Sequence, residues 1–235
     1  MEKTKNIKIL LGLIYCFIVL LFLWYFFNNF SLDEVSSYEF IKNNRNSLID
    51  FKKNNFLIIT IIFFILTVIW VMLLGFGSPI GLLSGFIYGK WYGTLIAAFS
   101  LTVGATLLYL FANFFLKELI KEKFEKRFYS LIEKFKKNEF FYLIIYRFIG
   151  IPFSLANILP ILFKIKITNF FASTFFGILP SAYILASLAS GLEKIINQNI
   201  EPPSLIELIT SQEIYFPIIG FLLLLLITFF IKKKY

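Results

Sequence analysis

The sequence predicts an all-α integral membrane protein with about five transmembrane helices, two re-entrant helical hairpins in an inverted repeat, and an interfacial amphipathic helix. Its 235 residues are 59% hydrophobic and only 16% charged, which is typical of a polytopic membrane protein. Residues 56–116 hold one charged side chain, Lys90. Two apolar runs are interrupted by Gly and Pro, which hydrocarbon tolerates only where protein or a wet cavity satisfies the freed backbone groups.

The apolar runs divide the chain into three predicted parts. Residues 1–55 form an N-terminal membrane anchor and a polar connector, because the run over 7–27 has about the spanning length of 20 residues. No small-residue cleavage site follows that run. Residues 56–195 form the core domain. Residues 196–235 form a polar loop and a last transmembrane helix over 215–231.

The first half of the core domain contains two predicted spans around an interrupted stretch. Residues 56–74 and 94–116 are long enough to cross a bilayer, and Gly104 is a predicted packing point between helices. The stretch between them, 75–93, predicts a re-entrant hairpin, with a short full span and a loop as the alternative. Gly permits close backbone approach and Pro fixes a break, so we expect this hairpin to be shaped by Pro79, Gly81, Gly85, Gly89 and Gly93.

Residues 117–139 differ in kind from the apolar runs on either side. Their apolar residues recur three and four positions apart, and the remaining face carries eight Lys/Arg and five Glu. This pattern predicts an amphipathic helix that lies in the lipid headgroup region. A helix that packs on a soluble partner is the alternative.

The second half of the core domain repeats this order. Residues 140–165 are apolar but broken by polar and helix-breaking residues, which predicts a second re-entrant hairpin, and residues 168–192 are long enough to span. We expect Gly and Pro to shape the hairpin at Gly150, Pro152 and Pro160, and to bend the span or pack it against other helices at Gly177, Pro180 and Gly191.

An internal repeat is visible at an offset of 73 residues. One predicted crossing and the surface helix separate the two units, so the second hairpin should enter from the opposite side. Inverted repeats of this kind place a transport site near the midplane, where the interrupted segments meet. The matching pairs are Pro79 and Pro152, Leu82 and Leu155, and Gly104 and Gly177.

Arg147 is the main candidate for ligand binding, since it is the only charge between Glu139 and Lys164. An arginine at the bilayer centre costs about 2.5–3.5 kcal/mol on insertion scales, so it should face the protein interior or a wet cavity. An arginine that snorkels to the interface is the alternative. A guanidinium can bind phosphate through two N–H groups at once. Asn113 and Asn157, polar groups within apolar runs, are the other predicted contacts to lipid or substrate.

The composition excludes several classes of function. The chain has no His and a single Cys, Cys16, so we expect no metal site, no cofactor and no enzymatic activity. No Asp or Glu lies between Asp50 and Glu118 or between Glu139 and Glu193, which removes the carboxylate relay that proton coupling usually needs. The net charge of +9 sits between apolar runs. It favours anionic lipid head groups as partners over nucleic acid. The sequence does not decide between a monomer and a homo-oligomer.

Two ordered blocks of residues resemble the VTT domain, which defines the DedA and SNARE-associated Golgi protein superfamily. The first block is PIGLLSGFIYGKWYG over 79–93, followed by Gly104. The second begins with RFIGIPF over 147–153 and continues through Asn157, the stretch over 170–180 with Gly177 and Pro180, and Gly191.

The resemblance implies two hairpins that face each other from opposite leaflets, and a role in lipid handling. Eukaryotic members of the superfamily resemble scramblases, and bacterial DedA relatives are linked to carrier-lipid recycling. This chain departs from the pattern at Gly150, where many relatives have Pro, and at Asn113, where an Arg is frequent. It also lacks the hairpin carboxylates of proton-dependent DedA transporters. These departures place the chain nearer the VTT subgroup than classical DedA.

The predicted function is a transporter or scramblase that moves phospholipid or carrier-lipid head groups between leaflets. A secondary transporter of a small anionic solute and a non-transporting assembly protein are the alternatives. The predicted location is a bacterial cytoplasmic membrane, crossed several times. The positive-inside rule favours a cytoplasmic C-terminus, on the same side as residues 28–55 and 117–139. The lysines at the N-terminus, Lys3, Lys5 and Lys8, argue for the reverse.

Overall fold

The computed structural model describes residues 2–29, 55–124, 129–148 and 151–197, together with isolated positions between 210 and 226. Within this part of the chain the fold is entirely helical, which confirms the predicted all-α class. In chain order the helices are α1 (Glu2–Asn29), α2 (Phe56–Met72), α3 (Gly77–Tyr88), α4 (Lys90–Phe124), α5 (Tyr129–Lys137), α6 (Glu139–Phe148), α7 (Phe153–Ile158), the 3₁₀ helix η1 (Leu159–Phe163) and α8 (Ile167–Asn197).

Two stretches of these helices are long and apolar enough to cross a membrane, Lys90–Phe115 in α4 and Ile167–Gly191 in α8. At 1.5 Å per residue each is about 38 Å long. The other apolar helices within the described ranges are shorter. The predicted total of about five spans therefore stays a prediction, and the C-terminal helix over 215–231 lies outside the continuously described residues.

The helices α4 and α8 run antiparallel through the centre of the structure. Trp91 contacts Tyr183, with ring centroids 5.1 Å apart, while Tyr109 stacks on Phe170 at 4.5 Å. Residue numbers therefore rise along α4 as they fall along α8. We call the end where α4 begins the Lys90 end, and the end where α8 begins the Lys166 end.

The first hairpin consists of α2 and α3, and it opens at the Lys90 end. Tyr88, the last residue of α3, contacts the rings of Phe56 and Phe63 in α2, with centroids 5.9 and 5.6 Å away. The arms have 17 and 12 residues, or about 26 and 18 Å at the helical rise. Both are shorter than the hydrocarbon core of about 30 Å. Gly89, at φ +78°, ends α3 and turns the chain into α4.

The tip of the first hairpin is a tight turn over 73–76. The Gly75 N–H donates to the Trp70 carbonyl at 2.8 Å, which is the six-residue closure of a Schellman motif. Leu74 takes the left-handed position of that motif, with φ +63°. The Trp70 indole donates to the Phe76 carbonyl at 2.8 Å, and it fills the space where a Cβ on Gly75 would stand. A side chain at position 75 would therefore have to displace the Trp70 indole.

The second hairpin consists of α6, α7 and η1, and it opens at the Lys166 end. Glu139 Oε2, at the start of α6, accepts hydrogen bonds from the Lys166 N–H at 3.2 Å and from Asn169 Nδ2 at 2.7 Å. Phe163, at the end of η1, stacks on Phe135 of α5 at 4.0 Å. The chain thus enters and leaves this hairpin at the same place.

The tips of the two hairpins meet in the middle of the structure. Ser154 Oγ, in the first turn of α7, donates to the Leu74 carbonyl at 2.6 Å. Gly77, at the start of α3, faces the Phe153 ring. The hairpins therefore point toward each other from opposite ends of the α4–α8 pair.

Glycines set the closest approaches between these helices. A Cβ on Gly85 would lie 2.2 Å from the Ala186 carbonyl oxygen of α8, and one on Gly93 would lie 2.5 Å from the Ser84 carbonyl oxygen. The other close approaches are Gly81 on Leu185, Gly104 on Val71, and Gly177 on Arg147. Gly191, predicted as a packing point, has no such neighbour within 4 Å among the described residues, so its packing role stays a prediction.

The predicted crossing over 56–74 stays a prediction, and the structure shows how these residues continue. The helix α2 starts beside Tyr88 at the Lys90 end, and α3 brings the chain back to that end. Residues 56–74 are therefore the first arm of a hairpin. The role of residues 56–74 as a hairpin arm was difficult to predict, because this apolar run has almost the length of a span.

The bounds of the surface helix predicted over 117–139 differ in the structure, while its position in the headgroup region stays a prediction. The helix α4 continues without a break to Phe124, and α5 begins at Tyr129. No Gly or Pro occurs between Gly104 and Gly150, so nothing in the sequence ends α4 where its residues become charged.

The helix α1 lies antiparallel to α4. Gly12 faces Phe115, and Tyr15 contacts Phe111 with ring centroids 4.6 Å apart. The Tyr15 hydroxyl also donates to the Met72 carbonyl near the tip of the first hairpin. The chain therefore begins at the Lys166 end, and α1 finishes toward the Lys90 end.

The packing of α3 on α8 can be tested with Gly85→Ala. The added methyl collides with the Ala186 carbonyl and must separate the helices, at a cost of about 1–3 kcal/mol. We expect a lower midpoint of thermal unfolding in detergent. Gly191→Ala is the matched control, because its methyl meets nothing within 4 Å and alanine favours the helix. Equal effects of the two substitutions would contradict this account of the packing.

A candidate anion site at the arginine of the second hairpin

Arg147 joins both arms of the second hairpin to α8. Its Nη1 donates to Asn157 Oδ1 in α7 at 2.8 Å, and its Nη2 donates to Thr174 Oγ1 in α8 at 2.7 Å. Asn157 and Thr174 are buried. Hydrogen bonds from a charged donor are about twice as strong as neutral ones, so this pair of bonds holds the hairpin closed against α8.

Two aromatic rings lie beside the guanidinium. The Arg147 Cζ atom is 5.9 Å from the centroid of Phe153 and 5.4 Å from that of Phe170. Both distances are within the range of cation–π attraction. Phe170 is fully buried, and it is held from behind by Tyr109, whose hydroxyl donates to the Ile165 carbonyl at 2.9 Å. We call Arg147, Asn157, Thr174, Phe153 and Phe170 the arginine cluster.

The arginine cluster has donors in excess of acceptors. Arg147 Nε and Asn157 Nδ2 are buried and have no hydrogen-bond partner. Both nitrogens can only donate, and no carboxylate pairs with Arg147 among the described residues. Buried donors without acceptors are costly. The cluster is therefore suited to an anionic ligand that accepts several hydrogen bonds.

The position of the cluster follows from its place along α6. Arg147 is eight residues from Glu139, so it lies about 12 Å from the open end of the hairpin. Gly177 of α8 leaves room for its stem, since a Cβ there would lie 2.9 Å from Arg147 Cγ. The guanidinium is thus close to the point where the hairpin tips meet, and away from the open end of the hairpin.

Of the three predicted ligand contacts, the structure brings two together. Arg147 and Asn157 are hydrogen-bonded. Asn113 is half-buried in α4, and no hydrogen bond joins it to either of them. Among the predicted hairpin-shaping residues, Pro152 precedes the first residue of α7, and Pro160 is buried in η1. The remaining predicted positions have these places: Pro79 is in the first turn of α3, Pro180 is inside α8, and Gly150 lies outside the described residues.

Sequence reasoning missed the other members of the cluster. Thr174 and Phe170 lie in a predicted span whose apolar length hid their role. The signal that could have found Thr174 is its position three residues before Gly177, on the same helix face as the glycine that receives Arg147. Phe153 and Phe170 both belong to the second block that resembles the VTT domain, and no other feature of the sequence marks them as parts of a site.

Comparison with known families identifies this architecture. The family model of the VTT domain matches residues 76–191. The chain belongs to the VTT-domain superfamily. The match begins at the tip of the first hairpin and ends in α8, so it contains α3, α4, the second hairpin and the whole arginine cluster. This family is membrane-associated. No solved structure matches the chain.

The bond between Arg147 and Thr174 predicts a measurable loss when it is removed. Thr174→Val keeps the side-chain shape and deletes the acceptor, so we expect a loss of about 1.5–3 kcal/mol in unfolding free energy. Thr67→Val is the matched control, because Thr67 is buried in α2 and its hydroxyl has no partner. Thermal unfolding in detergent compares them. A Thr67→Val variant as unstable as Thr174→Val would contradict the assigned bond.

Proposed function

We propose that this protein moves lipid head groups between membrane leaflets, with the arginine cluster as the site that binds the phosphate. The observation that carries the proposal is the donor excess of the cluster: among the described residues the guanidinium has no carboxylate partner, and the neighbouring Asn157 Nδ2 is unpaired. A phosphate diester offers the charge and acceptors that this donor set lacks. Movement of a lipid between leaflets needs no covalent chemistry, so we propose no enzymatic activity.

The two hairpins supply the route. Each arm is shorter than the hydrocarbon core, so we infer that the hairpins are re-entrant and that their tips meet within the bilayer. Polar groups at the tips, such as the Leu74 carbonyl and Ser154 Oγ, would face a head group in transit. Large apolar side chains remain exposed beside this path, and they would contact the acyl chains: Leu155, Leu159 and Phe176.

A transporter of a small anionic solute remains the second candidate. The same donor excess favours it, because a free anion and a lipid phosphate share their chemistry. Exposed apolar surface next to the cluster favours the lipid. A non-transporting assembly protein would not require a buried cation without a carboxylate partner.

The charges at the two ends support an orientation. The Lys166 end collects Lys164, Lys166, the start of α1 with its three lysines, and the charged residues of α5. At the Lys90 end the described charges are Lys90, Glu193 and Lys194. The adjoining residues 30–54 carry four Lys/Arg and four Asp/Glu. By the positive-inside rule we propose that the Lys166 end and the N-terminus are cytoplasmic. The predicted side of residues 28–55 concerns a segment that lies mostly outside the described residues.

Liposome reconstitution tests the transport. Vesicles carry a fluorescent phospholipid, and external dithionite bleaches only the outer leaflet unless lipid crosses. We expect wild-type protein to allow bleaching well past the outer-leaflet fraction, and Arg147→Ala to slow this phase by at least about tenfold, the equivalent of one charge-assisted contact. Arg147→Lys keeps the charge but loses the bidentate contact, so its bleaching rate should fall between those of wild type and Arg147→Ala.

The Thr67→Val variant controls for the reconstitution, since Thr67 lies outside the cluster. A leakage dye checks vesicle integrity, and gel filtration checks that each variant is folded. Wild-type bleaching that stops at the outer leaflet would refute general lipid scrambling. Equal rates in wild type and Arg147→Ala would refute the role of the cluster.

The orientation is testable because the sequence contains one cysteine. In a Cys16→Ser background, Tyr92→Cys places a thiol at the Lys90 end, where the native side chain is 68% exposed. Lys137→Cys places one at the Lys166 end. We expect a membrane-impermeant maleimide to label the first in intact cells and the second only after lysis. The reverse pattern would invert the proposed orientation.

A further inference from the structure

An open cavity of about 550 Å³ lies at the Lys166 end, at the mouth of the second hairpin. This volume is within the range of about 300–1,000 Å³ that is usual for small-ligand sites. The cavity, which we call the lysine cavity, lies between the end of α5, the start of α6 and the first turn of α8. Its lining residues are Lys136, Lys137, Asn138, Glu139, Phe140, Lys164, Lys166 and Asn169.

The lysine cavity has an excess of positive charge. Four lysines and one carboxylate line it, and they come from stretches that only the fold brings together. The carboxylate of Glu139 is occupied by the Lys166 N–H and by Asn169 Nδ2. Lys136 is paired with Glu133 at 3.2 Å, outside the cavity lining. The acidic residue of the lining therefore serves to join the ends of the hairpin.

One wall of the cavity is apolar and continues toward the arginine cluster. Phe140 lines the cavity and contacts Phe176 of α8, with ring centroids 6.4 Å apart. Both rings are partly exposed, by 38% and 54%. Arg147 lies farther along the same helix as Phe140. A polar head group in the cavity would thus have apolar surface beside it for acyl chains, which a free anion does not need.

We propose that the lysine cavity is a binding site for the head group of a lipid with net negative charge, and that it selects this lipid before the arginine cluster receives it. The transfer to Arg147 rests on the proposed function. The binding does not, because a charged amphiphile would occupy this cavity whether or not the protein moves it. Lysines near a membrane surface attract anionic lipids individually, and the fold concentrates four of them in one cavity.

Native mass spectrometry of the full-length protein tests the proposal. The protein is released from mixed micelles that contain equal amounts of phosphatidylglycerol and phosphatidylcholine, which differ in net head-group charge. We expect wild type to prefer phosphatidylglycerol by at least about tenfold. The double variant Lys137→Gln/Lys166→Gln should lose that preference. It leaves Lys164, whose φ is +53°, and the bonds of Glu139 in place. Lys90→Gln, at the opposite end, is the matched control.

Three results would overturn the proposal. Equal retention of the two lipids by wild type, or an unchanged preference in the double variant, would show that the lysine cavity does not select an anionic lipid. Displacement of phosphatidylglycerol by inorganic phosphate at equal concentration would assign the cavity to a free anion. The Arg147→Ala variant separates the two proposals, since it should keep the lipid preference and lose transport. A protein that keeps the preference but never transports lipid refutes only the proposed function.

Discussion

The two hydrogen bonds of the Arg147 guanidinium hold the second hairpin of this protein together and fix it to α8. They bind α6 to α7 through Asn157 and to α8 through Thr174. A carboxylate in place of either partner would have neutralised the positive charge and accepted hydrogen bonds from the unpaired donors. Neutral partners hold the arginine in position and leave its charge uncompensated, so the same residue can serve the structure and attract an anion.

This arrangement also explains why the glycines lie where they do. Gly177 makes room for the stem of Arg147, and Gly85 brings α3 against α8. Because α8 contacts both hairpins, a displacement of α8 would change both tips together. The contact of Ser154 with Leu74 gives the hairpins a direct connection as well. Separation of the two tips therefore needs a concerted movement of these elements.

The sequence predicted those features that depend on a single segment. An isolated arginine in an apolar run, two interrupted stretches and their offset of 73 residues were all readable without tertiary contacts. The end of α4 could not be predicted from the sequence, because the helical pattern continues from the apolar into the charged residues with no Gly or Pro to end it. The return of α2 and α3 to one end was also hidden, since length alone does not separate a long hairpin arm from a span. Thr174 was missed because its partner lies 27 residues away.

The repeat is symmetrical in its helices and asymmetrical in its charge. Val71 faces Gly104 as Ile144 faces Gly177, and by the same offset Leu74 stands in the place of Arg147. If the protein moves lipid as we propose, a head group from one leaflet would meet a cation, and one from the other would meet a leucine turn. Without an energy source this difference could not accumulate lipid on one side, because both directions would share the same path and the same equilibrium. It would make the dwell time uneven, so that a lipid in transit would pause in the half nearer the arginine.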